Sequence, residues 1–208
     1  MTNSEKYQEG WEKIYSVQNN PFDIEEPLEW VVELENSGKI KGTVFDVGCG
    51  AGHNSIFLAK KGYKVFGTDL ILKGAIERAI KKAQLNQANA TFFSGNICEL
   101  KGYDNTFDTI IDIGCFHSLD KEDYHLYADA LFRSCKQYAT IFMRAFSDKN
   151  LEKSSEYAGP VVSGKDINET FSNNWSIKNL IHKEIEIKLS DTEKPKLYVW
   201  FAEIEVIK

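Results

Sequence analysis

Val44-Phe45-Asp46-Val47-Gly48-Cys49-Gly50-Ala51-Gly52 decides how this chain is read. An apolar run carrying one acid leads into glycines at every second position. His53-Asn54-Ser55-Ile56-Phe57-Leu58-Ala59-Lys60-Lys61 follows with a helical pattern that stops at Gly62. A strand, a tight glycine turn and a helix in that order put backbone N–H groups at a helix N-terminus, where they cradle an anionic or strongly polar group. Glycine lets the backbone approach such a ligand closely. Tyr63-Lys64-Val65-Phe66-Gly67-Thr68-Asp69 then reads as a second strand ending in an acid. In nucleotide-binding folds that acid reaches the ribose hydroxyls of a ligand lying across the strand ends.

The spacing separates two cofactors. A dinucleotide fingerprint is G-x-G-x-x-G, whereas Gly48, Gly50 and Gly52 form G-x-G-x-G. Asp46, two residues before the first glycine, would repel a pyrophosphate and suits a ligand with a cationic amino group. The run FDVGCGAG followed by VFGTD resembles the first motif and ribose acid of the class I S-adenosylmethionine-dependent methyltransferases. That resemblance implies a doubly wound α/β fold with a mostly parallel seven-stranded sheet and an antiparallel C-terminal hairpin. It implies S-adenosyl-L-methionine as cofactor. Gly48, Cys49, Gly50, Gly52 and Asn54 would surround its methionine end, with Asp46 near the amino group. Asp69 would grip the ribose, Leu70 and Ile97 would sandwich the adenine, and Gly114 and Cys115 would complete the methionine pocket.

Composition agrees with one such domain. The 208 residues are 42% hydrophobic, enough to build a core. A net charge of −6 offers no basic surplus for a phosphate backbone, so no nucleic-acid partner is expected. Cys49, Cys98, Cys115 and Cys135 form no C-x-x-C pair and no metal-ligand spacing with the four histidines. They read as reduced thiols of a cytoplasmic protein, with no metal. The N-terminus lacks an apolar signal core, and no apolar run approaches membrane-spanning length.

Outward from the glycine turn, residues 4–17 carry Tyr7, Trp11, Ile14 and Tyr15 at helical spacing. This stripe packs the helix on the domain, forms a lid over the cofactor as leading segments do in the resembled family, or does both. After a break at Asn19-Asn20-Pro21, residues 25–37 predict a helix with Pro27 in its first turn, Glu25 and Glu26 opposing its dipole, and Gly38 ending it. Leu72–Asn86 predicts a helix with Ala75, Ile76, Ala79, Ile80 and Ala83 on one face. Ala90–Phe93 is a third strand leading into Ser94-Gly95-Asn96-Ile97. The resembled family usually presents an acid there to the adenine amino group; Asn96 offers an amide carbonyl instead.

Phe107–Ile113 is a fourth strand running into Gly114-Cys115-Phe116-His117-Ser118-Leu119. FDTIIDIGCFHSL resembles the corresponding segment of small-molecule methyltransferases, including the thiopurine and tellurite-resistance enzymes. It lacks the D/N-P-P-Y/F motif of DNA and protein amino-methyltransferases, so a small-molecule acceptor is expected. His117 either fixes local backbone or contacts the substrate, orienting it or taking its proton. Cys115 reads as a packing residue, since methyl transfer needs no covalent intermediate, and Asp112 either meets the histidine or caps backbone groups. Lys121–Gln137 predicts a helix and Ala139–Phe146 a fifth strand. Ser147–Gly164 is irregular, a lid or a disordered insertion. Asp166–Phe171 starts a short helix, and Glu184–Leu189 with Leu197–Ile207 forms an antiparallel hairpin. The expected organisation is one domain over 1–208: a helical lid (1–38), a cofactor core (43–146), and a substrate-side segment with the closing hairpin (147–208). The expected activity is methyl transfer to a small molecule by in-line displacement; the alternative is an inactive S-adenosylmethionine-binding domain with a regulatory or scaffold role.

Overall fold

The computed structural model describes residues 3–16, 26–153, 160–187 and 194–208. Its strands are β1 (Thr43–Val47), β2 (Lys64–Asp69), β3 (Ala90–Ser94), β4 (Phe107–Ile113), β5 (Cys135–Phe146), β6 (Trp175–Glu186) and β7 (Lys196–Val206). Its helices are α1 (Asn3–Ser16), α2 (Glu29–Asn36), α3 (His53–Lys60), α4 (Glu77–Leu85), α5 (Tyr124–Ser134), α6 (Asn150–Lys153) and α7 (Gly164–Thr170). The strands form one sheet in the order β3-β2-β1-β4-β5-β7-β6. β1 through β5 pair in parallel, and β7 runs antiparallel to both β5 and β6. This is the doubly wound sheet with a C-terminal antiparallel pair that the glycine turn and ribose acid imply.

Strand alternation explains why both faces need cover. Phe45, Val47, Ile110, Ile141 and Met143 enter one apolar cluster, while Val44, Ile111 and Phe142 enter the other. Successive side chains of a strand point to opposite faces, so a strand buried on both reads as a continuous apolar run. The chain order reverses between β1 and β4, which leaves a crevice beyond their carboxyl ends.

Four expectations shift. Pro27 precedes α2 rather than sitting in its first turn, because Leu28 is held extended (φ −63°, ψ 134°) by its N–H donating to Asn54 Oδ1 at 3.0 Å. Glu29 takes the acidic place in the first turn, and Glu25 lies outside the described residues. The helix expected over Leu72–Asn86 is broken at Lys73 and Gly74, with α4 beginning at Glu77. Gly74 has φ +86°, and a Cβ there would lie 2.7 Å from the Tyr15 carbonyl oxygen, so α1 packs where a continuous helix would clash. Ile80 stays exposed rather than joining the buried row of Ala75, Ile76, Ala79 and Ala83. The helix expected to reach Gln137 stops at Ser134, since Cys135 is already paired with Phe107 in the sheet. β6 begins at Trp175, well before Glu184, and residues 188–193 of the expected hairpin lie outside the described residues.

The stretch after β5 is more ordered in pattern than its composition suggests, although 154–159 lie outside the described residues. Ser147 bridges to Val162, and fully buried Asn150 clasps the backbone of β7. Its Nδ2 donates to the Tyr198 carbonyl at 2.8 Å, and its Oδ1 accepts the Tyr198 N–H at 2.7 Å. Replacing Asn150 by leucine keeps the volume but orphans two buried backbone groups. Asn150→Leu should therefore lower unfolding stability by about 2–4 kcal/mol, read from urea denaturation.

Candidate functional site

A cavity of about 250 Å³ opens at the carboxyl ends of the parallel strands, under α1. Its inner wall is built by the turns after β1, β2, β3 and β4. In the first, Gly48 has φ +66°, and a Cβ would lie 2.8 Å from Cys115 Cβ, so glycine lets the turns after β1 and β4 touch. Gly52 is the N-cap of α3. The turn is tied down from inside: the Cys49 N–H donates to the Thr68 carbonyl, the Gly52 N–H to the Cys49 carbonyl, and the Gly50 N–H to Asp69 Oδ2 at 3.0 Å. These three N–H groups are thus spent on the fold, a correction to the expectation that the turn offers them to a ligand.

Three carboxyls sit at or near the ends of adjacent strands, Asp46 and Asp112 buried and Asp69 partly buried. Asp46 accepts a hydrogen bond from Ser55 Oγ at 2.6 Å, and burial raises its pKa to about 7, with Asp112 and Asp69 adding repulsion. Asp69 takes the Ile71 N–H on its other oxygen at 2.9 Å; burial raises its pKa against these bonds. Asp112 accepts the Cys115 and Phe116 N–H groups and the Tyr127 hydroxyl, and burial raises its pKa to about 6. It therefore caps the loop after β4, which decides between the two roles open to it. Asp46 and Asp69 line the cavity. Thr68 Oγ1, also at its wall, is buried and has no hydrogen-bond partner among the described residues.

Of the other expected residues, Gly48, Cys49, Gly50, Trp11, Asn54, Leu70, Asn96, Ile97, Gly114 and Cys115 line the cavity, whereas Gly52 is set back against Ala79 and Phe92. Two have local duties that spacing did not show. Asn54 is buried and holds Leu28, as above, and Asn96 Oδ1 accepts the Cys98 N–H at 3.0 Å, capping a short turn. One lone pair of the Asn96 oxygen is left for a ligand. Burial pushes the thiols of Cys49 and Cys115 well above their ordinary range, so both stay protonated.

The cavity wall also carries His117, Arg144 and Phe146, together with Leu28, Ile187, Asp120 and Asp123. His117 Nδ1 accepts the Phe146 N–H at 3.0 Å. A nitrogen that accepts cannot carry the proton, so the neutral ring bears it on Nε2. Burial, then the nearby Arg144 charge, lowers the His117 pKa to about 3. This corrects the proton-taking role: the ring offers an N–H donor and has no free basic nitrogen. Arg144 was missed by the sequence reading. Its signal was a lone charge inside the apolar run Ile141-Phe142-Met143-Arg144-Ala145-Phe146. Ser55 and Tyr127, the partners of Asp46 and Asp112, were missed as well. Tyr15, placed only in an aromatic stripe, is buried with its hydroxyl against Gly50.

Comparison with known proteins gives this geometry a context. A family of methyltransferase domains matches residues 44–138. An uncharacterized methyltransferase of Schizosaccharomyces pombe is 38% identical over 128 residues, which is 62% of this chain and 88% of its own. The 2-heptyl-1-hydroxyquinolin-4(1H)-one methyltransferase of Mycobacteroides abscessus is 28% identical over 160 residues, covering 77% of this chain and 70% of its own. Among solved structures, one described for the conversion of a disulfide bond into a thioacetal group during echinomycin biosynthesis superposes with a TM-score of 0.82. It is 26% identical and covers 96% of this chain and 91% of its own.

Two titrations follow from the site. Asp46 keeps its proton in the folded protein to about pH 7 but loses it near 4 when unfolded, so its contribution to stability falls as pH rises between those values. Asp46→Asn, which still accepts from Ser55, should remove a pH-dependent loss on the order of 4 kcal/mol in thermal or urea unfolding of the ligand-free protein. His117 should stay neutral far below the ordinary histidine range, so its imidazole NMR shifts should hold constant from pH 8 to pH 5.

Proposed function

The chain belongs to the class I S-adenosylmethionine-dependent methyltransferases, and on that premise we propose that it methylates a small-molecule acceptor by in-line displacement. The observation that carries the reading is one cavity at the strand ends whose wall holds Asp46 and Asp69 together with His117, Arg144 and Phe146. Bound S-adenosylmethionine supplies a methyl carbon already activated by its sulfonium. The residues present fit it: buried Asp46 and partly buried Asp69, both with raised pKa values, are stabilised by a cationic ligand. The unpartnered Thr68 hydroxyl awaits a polar group.

In this reading Asp69 holds the ribose, and Asp46 lies near the amino group with Gly48, Cys49 and Gly50 around the methionine end. Leu70 and Ile97 flank adenine, and Asn96 meets its amino edge with the lone pair that Cys98 leaves free. Gly114 and Cys115 close the pocket from the fourth strand. Trp11 and Tyr15 of α1 cover it, which makes residues 1–38 a lid, 43–146 the cofactor core and 147–208 the acceptor side. Such positioning contributes roughly 7–11 kcal/mol to a bimolecular transfer. Closure by α1 keeps water out. The Mycobacteroides relative acts, by its name, on a compact heterocycle, which supports an acceptor of that size. The free thiols accord with a reducing, cytoplasmic setting.

Turnover tests the reading. Labelled donor incubated with thiols, amines, hydroxyls and metalloid oxyanions should yield methylated small molecules, while RNA, DNA and folded protein remain unlabelled. Asp69→Asn should weaken donor binding at least tenfold by calorimetry, since each charge-assisted ribose bond contributes about 1.5–3 kcal/mol. Unchanged affinity would remove Asp69 from the site.

A further inference from the structure

We propose that the acceptor is methylated as a preformed anion, held between the donor's sulfonium and Arg144, so that the substrates are small molecules with an acidic thiol or hydroxyl. This rests on the methyltransferase reading above and deepens it.

Arg144 leaves β5 opposite Ile113 of β4 and lines the cavity beside His117 and Phe146. Burial lowers its pKa to about 10, which leaves it charged at neutral pH, and no carboxylate of the described residues pairs with it. A half-buried guanidinium without a counter-charge is costly until a ligand supplies one. Its planar fork suits a compact anion. Beside it, His117 presents Nε2–H, with no partner among the described residues, because Nδ1 is committed to the Phe146 N–H. Arg144 and His117 therefore set a positive charge and hydrogen-bond donors side by side. They offer no basic histidine nitrogen to take a proton.

Those facts select the acceptor's charge state. A neutral amine would take over the sulfonium's positive charge as it reacts, and would carry that charge beside the guanidinium, which repels it. A thiolate or an ionised acidic hydroxyl is attracted by both the sulfonium and the guanidinium. Its lone pair forms the new bond to the methyl carbon as the carbon–sulfur bond of the donor breaks, with that pair remaining on the donor sulfur. The anion and the sulfonium are both neutralised, and no proton has to move. Arg144 also favours ionisation of a bound thiol or hydroxyl, which raises the reactive fraction.

The pH dependence must be assigned with care to the right group. The other titratable groups at the cavity wall are Asp46, Asp69, Asp120, Asp123, His53, the Tyr15 phenol and the thiols of Cys49, Cys98 and Cys115. Their pKa values do not follow the acceptor's chemistry. A series of ring-substituted thiophenols and phenols, with anilines of matching size, separates the two cases. For wild-type enzyme, kcat/KM should rise through an apparent pKa that tracks each acidic acceptor across the series. Anilines should react at least 100-fold more slowly. Arg144→Gln should lower kcat/KM for the anions at least tenfold, mainly through KM, while donor Kd changes less than twofold. Arg144→Lys should recover part of the loss. Calorimetry on the enzyme loaded with S-adenosylhomocysteine should show the thiophenolates binding more tightly than the anilines.

Each failure has its own meaning. If wild-type protein fails to bind S-adenosylmethionine, the methyltransferase reading falls. If the donor binds but anilines are preferred, the inference alone falls. So it does if one pH profile serves every acceptor, if anions show no advantage in turnover or binding, or if Arg144→Gln is silent.

Discussion

The carboxylate of Asp69 is the fastening on which the site depends. One oxygen takes the Gly50 N–H and the other the Ile71 N–H, so a single side chain joins the glycine turn after β1 to the chain leaving β2. The turn has no apolar side chain large enough to hold itself down. A partly buried carboxylate with two backbone donors supplies that restraint at a cost in desolvation that raises its own pKa. Once the turn is fixed, Gly52 can cap α3 and Gly48 can meet Cys115, bringing the loop after β4 against the loop after β1.

The same device recurs two strands away. Asp112 closes the loop after β4 by accepting two backbone N–H groups, and Tyr127 of α5 buttresses it. Asp46 lies between them in the sheet, with Val47 paired to Thr68 on one side and Asp112 on the other. The three carboxyls lie where charge is poorly solvated, and Asp46 also feels the charge of the other two. The strain shows as raised pKa values for all three, with burial the leading cause in each case. A ligand with positive charge relieves that strain, so the acids that hold the turns also define what the turns receive.

The cavity has a further wall of different chemistry. Its rim is made by β5 and the loop after β4, joined through the bond from the Phe146 N–H to His117 Nδ1. That bond sets the tautomer, and the tautomer leaves a donor facing the chamber in place of a base. Asn150 anchors the chain just beyond β5 to β7 and so keeps Phe146 and Arg144 in register with the cavity.

The glycine spacing, Asp46, Asp69 and the apolar runs of β1 and β4 were legible in the sequence because each is a local pattern. A strand period of two, a turn that needs glycine and an acid at a strand end are all set by neighbours a few residues apart. Those signals determined the fold class and the donor side of the cavity. What only the tertiary structure decided are the pairings between distant segments: Leu28 with Asn54, His117 with Phe146 29 residues on, and Tyr15 with Gly50. Period alone also misplaced Ile80 and ran the helices through Gly74 and past Ser134, since packing by α1 and sheet pairing at Cys135 override local propensity. Arg144 stood in plain view as one charge in a strand, but its meaning lay in the cavity it lines and in its having no carboxylate partner among the described residues. A side chain's chemistry is written in the chain; the company that chemistry keeps is settled by the fold.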